Sequence, residues 1–310
     1  MEEEHRFRQL VEKIAPQSRL LRIWPLKGGI SAGMTALEIE RPDGQVHKLV
    51  VRLPGKGALS AEDEFRLLQT AQSLGLAAPV PLALDSSGEI FPAPYLVIAY
   101  IEGRIDFAPA NPWVYAEQMA AHLARIHSVD SARAELSFLP RQPGDIGGVL
   151  GRRSRAVDPS WEGERIRDTL ENAWPFSAVK PGALLHGDFW PGNILWQDER
   201  LAAVIDWEDA RVGDPLCDLA ISRLDLLWII GREAMHFFTR QYQARMALDD
   251  TNLPYWDLCA ALRLVRLAGP DLAGWAAYFH PYGRRDITAG SIREHYRYFI
   301  SQAYEKLSQR

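Results

Sequence analysis

With 310 residues, 47% hydrophobic and 24% charged side chains and a formal charge of -5 at pH 7, the chain has the make-up of a folded globular protein, long enough for one large domain or two lobes with separate cores. Lys and Arg are scattered through an acidic background, which argues against a nucleic-acid partner, and no apolar run, Leu226 to Ile230 among them, approaches the roughly 18 residues that cross a bilayer. The two cysteines, Cys217 and Cys259, sit in apolar helical patterns without metal-ligating neighbours, so neither a disulfide nor a zinc site is expected; with no signal pattern in the acidic N-terminus, the expected compartment is the cytoplasm.

Phe7, Leu10, Val11 and Ile14 are spaced by three and four ahead of Pro16, the pattern of a short amphipathic helix. Leu21 to Leu26, Thr35 to Glu40 and Lys48 to Leu53 read as strands of an antiparallel sheet, separated by a Gly-rich turn and by Pro42-Asp43-Gly44. Ala61 to Leu74 has helical periodicity and ends at Gly75; two further strands are expected around Leu82 to Leu84 and Tyr95 to Ile101. After Glu102-Gly103 the pattern turns helical, at Val114 to His127, Glu164 to Glu171, Leu216 to Ile230, Trp256 to Leu267 and Ile292 to Leu307. Residues 137–160 are broken by Pro and Gly and carry the basic run Arg152-Arg153-Ser154-Arg155, which reads as a surface loop or a lid. The expected organisation is α+β in two lobes, a small antiparallel sheet with one helix over 1–101 and a larger, mainly helical part over 102–310.

The chemistry concentrates in His186-Gly187-Asp188-Phe189-Trp190-Pro191-Gly192-Asn193, followed thirteen residues later by Asp206-Trp207-Glu208. Asp-x4-Asn is the spacing at which a phosphoryl-transfer loop sets a base and an amide oxygen for Mg²⁺. Ile194 to Trp196 and Leu201 to Ile205 flank the polar turn Gln197 to Arg200, so a hairpin is expected to return Asp206 as a second Mg²⁺ ligand. Each of these residues is common in turns and caps; their order and spacing make the pattern specific.

With Val204-Ile205-Asp206-Trp207-Glu208-Asp209 and Gly213-Asp214-Pro215-Leu216-Cys217-Asp218-Leu219, the run resembles the aminoglycoside phosphotransferase and choline kinase superfamily. That resemblance implies a protein-kinase-like fold and Mg²⁺-dependent transfer of the γ-phosphate of ATP or GTP to a hydroxyl of a small molecule. Asp188 is the implied base and Asn193 and Asp206 the metal ligands. His186 and Asp218 are implied to brace the loop; Asp218 is also read as a cap on its helix, and His127 as a packing residue.

For the nucleotide, Gly28, Gly29 and Ser31 are read as a phosphate-covering loop. Lys48 and Arg52 share one strand face and compete as the phosphate cation; the likeness of Val50-Val51-Arg52-Leu53-Pro54 to a family segment favours Arg52, with Glu64, or else Glu62, as helix partner. Backbone groups of Ala99, Tyr100 and Ile101 are expected to meet the base. Only about nine residues separate Asp206 from Pro215, too few to dock a polypeptide, so the expected partners are a nucleotide and a small hydroxylated molecule. Glu208, Asp209, Asp225 and Asp257 are candidates to face a cationic, aminoglycoside-like acceptor. Trp228, Trp256, Trp275 and Tyr278 offer an aromatic site for a choline-like amine instead, a sugar is a third acceptor class, and a non-catalytic nucleotide binder is the competing class of function.

Overall fold

A computed structural model describes residues 2–26, 33–55, 59–130, 134–143, 146–151, 159–176, 182–268 and 271–310. Two compact units emerge, Met1–Glu102 together with Ala202–Asp209, and Gly103–Leu201 together with Ala210–Arg310. The segment Ala202–Asp209, which a simple division at residue 101 assigns to the second part, groups with the first.

In the first unit the order is α1 (Glu2–Ile14), β1 (Arg19–Pro25), β2 (Gly33–Glu40), β3 (Val46–Leu53), α2 (Ala61–Ser73), β4 (Pro81–Asp85) and β5 (Tyr95–Ala99). The strands make one antiparallel sheet in the order β1-β2-β3-β5-β4. Strand alternation divides its faces. Leu49, Val51, Tyr95 and Val97 pack with Leu37 and Ile39 against Phe7, Leu10 and Val11 of α1, each such side chain contributing about 1.5–3 kcal/mol when fully buried. Residues of the other parity, Val50, Arg52, Leu96 and Ile98, are also buried, and Arg52 pairs with Glu64 of α2, which places α2 on that face. α2 starts where the Ser60 hydroxyl accepts the Asp63 amide, and Glu62, Asp63 and Glu64 suit the positive end of its dipole. The 202–209 segment is tied in by Val204 N to Ala77 O (2.6 Å) and Leu59 N to Glu208 O (3.0 Å).

The second unit contains α3 (Pro112–His127), α4 (Ile146–Leu150), α5 (Gly163–Ala173), β6 (Ala183–Leu185), β7 (Ile194–Gln197), the start of β8 (Arg200–Val204), β9 (Arg211–Gly213), α6 (Leu216–Ile229), α7 (Arg232–Gln243), α8 (Leu253–Ala268), α9 (Leu272–Ala277) and α10 (Ala289–Ser308). β6 pairs with β9, and β7 with β8 as the expected hairpin, whose turn residues Asp198 and Glu199 take left-handed φ of 48° and 60°. α6 is the core of the unit: every residue but Cys217 is buried, with α7, α8 and α10 packed around it. A helix buried on all sides, as this one is, belongs at the centre of a core. α7 and the β6-β9 pair were not expected, and α4 lies inside the stretch 137–160 that reads as loop; the basic run 152–155 lies outside the described residues. Among the described residues, no helix is long and apolar enough to cross a membrane.

Candidate active site

The loop after β6 is built on α6. Asp218, fully buried in the first turn of α6, accepts the amides of His186 (2.7 Å) and Gly187 (3.0 Å) and faces His127 Nε2 at 3.3 Å. The Tyr242 hydroxyl lies 2.7 Å from His127 Nδ1, on the other side of the ring from Asp218. Burial pushes the Asp218 carboxyl up, but the His127 bond and the charges of His127 and His186 outweigh it and hold the group below its ordinary value. One turn on, Ser222 Oγ donates to the Phe189 carbonyl at 2.6 Å. Gly187 takes a left-handed φ of 85°, and a Cβ at Gly192 would lie 2.2 Å from the Trp190 ring, so both glycines are demanded by the turn.

This loop brings Asp188, Asn193 and His186 together. Asn193 Nδ2 donates to the Asp188 carbonyl (2.9 Å) and to Asp188 Oδ2 (3.0 Å), which commits the amide nitrogen inward and leaves Oδ1 as the group able to meet a cation. His186 is fully buried, and its Nδ1 accepts the Asp188 amide at 3.3 Å, a bracing position and not a proton-transfer one. His127, expected only to pack, belongs to the same support. Asp214, not Asp218, caps α6: its Oδ1 accepts Leu216 N (3.0 Å) while Oδ2 accepts Trp256 Nε1 (3.0 Å).

The first unit carries a separate charged cluster. Arg52, 3% exposed, is held by Glu64 (Nε to Oε1, 2.8 Å), Asp206 (Nη2 to Oδ1, 2.8 Å) and Glu208 (Nη2 to Oε2, 2.6 Å). Lys48 instead pairs with Glu102 at the surface, so Arg52 occupies the interior position, with Glu64 as its helix partner; Glu62 bonds Ser86. One guanidinium thus meets three carboxylates, Glu64, Asp206 and Glu208. Burial raises the Glu64 pKa above its ordinary value despite the opposing charge of Arg52, with Asp206 and Glu208 adding to the rise. Asp206 has a left-handed φ of 66°, a conformation Asp tolerates and one that concentrates at functional sites. Among the described residues no group of three or more His, Cys, Asp or Glu is placed to hold a metal.

Other expected residues divide differently. Gly28, Gly29 and Ser31 lie outside the described residues. The Ala99 amide donates to Val80 O and the Tyr100 amide to Lys48 O, so these two donors serve the sheet. Of the acids expected to face a cationic acceptor, Asp257 is spent in a buried two-point pair with Arg223 (3.0 and 3.1 Å), Glu208 on Arg52, and Asp225 is buried with Trp228 Nε1 on its Oδ1. Burial pushes the Asp225 carboxyl up to about 7, with Arg263 opposing the rise and Asp188 adding to it. Asp209 stays in a short helical turn with Trp207 and Glu208. Trp228 and Trp256 are core; Tyr278 is more open and packs edge-on to Phe107, which stacks on Trp190. Sequence reasoning missed Arg263 of α8, whose Nη2 lies 2.5 Å from Asp188 Oδ1.

A model of the phosphotransferase enzyme family matches residues 26–262. The chain is 29% identical over 200 residues to acyl-CoA dehydrogenase family member 10 of Mus musculus (57% of this chain, 18% of that protein) and 28% identical over 249 residues to acyl-CoA dehydrogenase family member 11 of Gallus gallus (71% and 32%). It therefore spans a third or less of the length of these relatives. Viomycin phosphotransferase of Streptomyces vinaceus is 28% identical over 182 residues, 54% of this chain and 61% of that one. Among solved structures, a putative aminoglycoside phosphotransferase from Ralstonia eutropha superposes with a TM-score of 0.67 at 16% identity, covering 99% of this chain and 98% of the other. A spectinomycin phosphotransferase in complex with ADP and spectinomycin gives 0.65 at 12% identity (97% and 98%), and a GDP complex of aminoglycoside 2'-phosphotransferase-IIIa gives 0.64 at 16% (100% and 98%). These likenesses establish the kinase-like fold.

Proposed function

Because the chain belongs to the phosphotransferase enzyme family, we propose that it is a small-molecule kinase that moves the terminal phosphoryl group of ATP or GTP to a hydroxyl, with Asp188 as base. The observation that carries this reading is the fixed Asp188–Asn193 pair on a loop whose amides are held by the buried Asp218. Such support keeps a base in place for in-line transfer, where positioning supplies much of the rate. The acceptor oxygen attacks the γ-phosphorus, its proton passes to Asp188, and the bond from the γ-phosphorus to the bridging oxygen breaks with its electron pair left on the departing ADP or GDP. Asn193 Oδ1, left available by the two bonds of its amide nitrogen, and the Asp206 carboxylate are the groups that would hold Mg²⁺. When bound, Mg²⁺ neutralises charge on the β and γ phosphates. Arg52, anchored by Glu64, is the phosphate cation of the first unit.

The acceptor in this reading is a small hydroxylated molecule, with aminoglycosides first in line. The named substrates of viomycin phosphotransferase and of the spectinomycin enzyme support a small-molecule acceptor. Its recognition does not rest on Asp225, Asp257 or Glu208, which are buried or paired. The test is ADP or GDP release with Mg²⁺ across aminoglycosides, macrolides, amino alcohols and sugars, with Asp188→Ala alongside. Acceptor-dependent release abolished in the variant supports the reading; equal turnover by the variant refutes it. Nucleotide binding without turnover on any acceptor turns the case toward a non-catalytic binder.

A further inference from the structure

We propose that Arg263 is a catalytic arginine that contacts the transferring phosphoryl group, supplied from α8 to a loop that carries no cation of its own. The inference rests on the phosphotransferase reading and names a residue for it. Between Asp188 and Asn193 the chain reads Phe189-Trp190-Pro191-Gly192, so no Lys or Arg accompanies the base along the loop. The cation arrives from 75 residues downstream: Arg263 Nη2 lies 2.5 Å from Asp188 Oδ1, while Asn193 Nδ2 takes Oδ2. Each oxygen of the base thus has a neighbour fixed by a different element.

Distance decides what the guanidinium can reach. An acceptor hydroxyl that gives its proton to Asp188 sits about 2.6–3.2 Å from the carboxylate, and its oxygen about 3–3.5 Å from the phosphorus it attacks. In the proposal the guanidinium turns from this carboxylate to the equatorial phosphoryl oxygens, which lie one acceptor atom beyond it. Arg263 and Asp188 are 27% and 24% exposed, open enough to meet a ligand. Of the arginines on α6 and α8, Arg223 bonds Asp257 and Thr239, Arg266 bonds the Leu150 carbonyl, and Arg263 bonds the base. A guanidinium has five donors in a fixed fork, so a bond to Asp188 and bonds to phosphoryl oxygens are geometrically compatible. Asp225 on α6 is close enough to feel the charges of both Arg263 and Asp188. Charge placed where it develops in the transition state is worth orders of magnitude in rate, and a well-aimed arginine reaches 10³–10⁵ in other phosphoryl-transfer enzymes.

The experiment needs no identified acceptor. Mg-ADP and Mg-GDP binding is measured with and without aluminium fluoride, a mimic of the phosphoryl group in flight, for the full chain, Arg263→Ala and Arg263→Lys. Wild type should bind the fluoride complex about 100-fold more tightly than the nucleotide alone. Arg263→Ala should lose most of that increment while its nucleotide affinity stays within about 3-fold and its melting temperature is unchanged, and Arg263→Lys should keep part of it. An increment retained in full by Arg263→Ala overturns the proposal, as does a loss that reflects unfolding, read by the melting curve and by failure of Lys to restore binding. If wild type binds the nucleotide with no fluoride increment, the arginine assignment is overturned while the nucleotide site stands. If wild type binds neither nucleotide, the phosphotransferase reading itself falls and this proposal with it. Once an acceptor is known, a raised acceptor KM at unchanged kcat would reassign Arg263 to acceptor binding.

Discussion

Replacing Asp218 by asparagine keeps the size of the side chain and turns one acceptor oxygen into a donor. In the native protein the carboxylate takes the amides of His186 and Gly187 and faces His127 Nε2, all in a fully buried setting. With an amide in its place, one backbone N–H faces another donor, at about 1–3 kcal/mol for an unsatisfied buried group, and a charge-assisted bond worth about 1.5–3 kcal/mol is weakened. A loss of about 3 kcal/mol follows, a large share of the roughly 5–15 kcal/mol that a folded protein has, yet short of unfolding it. Urea unfolding at pH 7 should show an earlier midpoint at unchanged slope for the transition that contains the second unit. Acceptor-dependent turnover should fall by at least about 10-fold, because a base displaced by even 1 Å forfeits much of its rate. Since the carboxyl is held below its ordinary pKa, this stability is present above the ordinary carboxylate range and is lost only as acid protonates the folded group. A variant whose stability lies within 0.5 kcal/mol of wild type, taking about that as the noise of a surface substitution, would refute the idea that Asp218 holds the loop.

Two further outcomes come from buried charge. Arg223→Met strands Asp257 and Thr239 and should cost about 3–5 kcal/mol, whereas Arg223→Met with Asp257→Leu should cost much less; equal losses in denaturant titrations would show that the pair does not act as a unit. Asp225 has its pKa raised by burial to about 7, so the folded state holds a proton that the unfolded chain releases near its ordinary value, and stability falls as pH rises from about 4 to 7. Asp225→Asn should remove up to about 3 kcal/mol of the difference between unfolding free energies at pH 5 and pH 8, and an unchanged pH slope would remove Asp225 as its source.

Much of this was legible because its determinants are local. The Asp188 to Asn193 spacing lies inside one turn, the β7-β8 hairpin is marked by its own polar turn, and the parity of β3 puts Lys48 and Arg52 on one face. What parity cannot tell is which of the two is interior; that is set by Glu64 of α2 and by Asp206 and Glu208, more than 150 residues away. The β6-β9 pair escaped because three residues are too few for a period and their partners are distant in sequence. α7 did carry a signal, Ala234, Met235, Phe238, Thr239 and Tyr242 at helical spacing, left unread between Gly231 and a polar stretch. Asp225 and Asp257 are expected at an open acceptor site because a charged residue is usually exposed. The continuous apolar character of α6 was the sign that its acids are buried. Arg263 had no local pattern at all, since its meaning comes only from the packing of α8 beside α6.

The polar residues of α6 explain why a helix otherwise suited to a core keeps groups that cost free energy to bury. Asp218, Ser222 and Asp225 fall at i, i+4 and i+7, one stripe on one face. Asp218 holds the two amides before the base, Ser222 the carbonyl after it, and Asp225 stands by the base and its arginine. An apolar stripe would pack more cheaply, since a buried polar group adds little net stability even when satisfied. It would also leave the backbone of 186–189 without partners in a buried setting. The stripe therefore ties the geometry of the loop to the most rigid element of the unit, so that Asp188 can be displaced only by disturbing the central helix. On this account, moving any one of the three to an apolar residue of similar size should loosen the loop first and the helix second, with amide exchange at His186 and Gly187 rising before that of α6 itself.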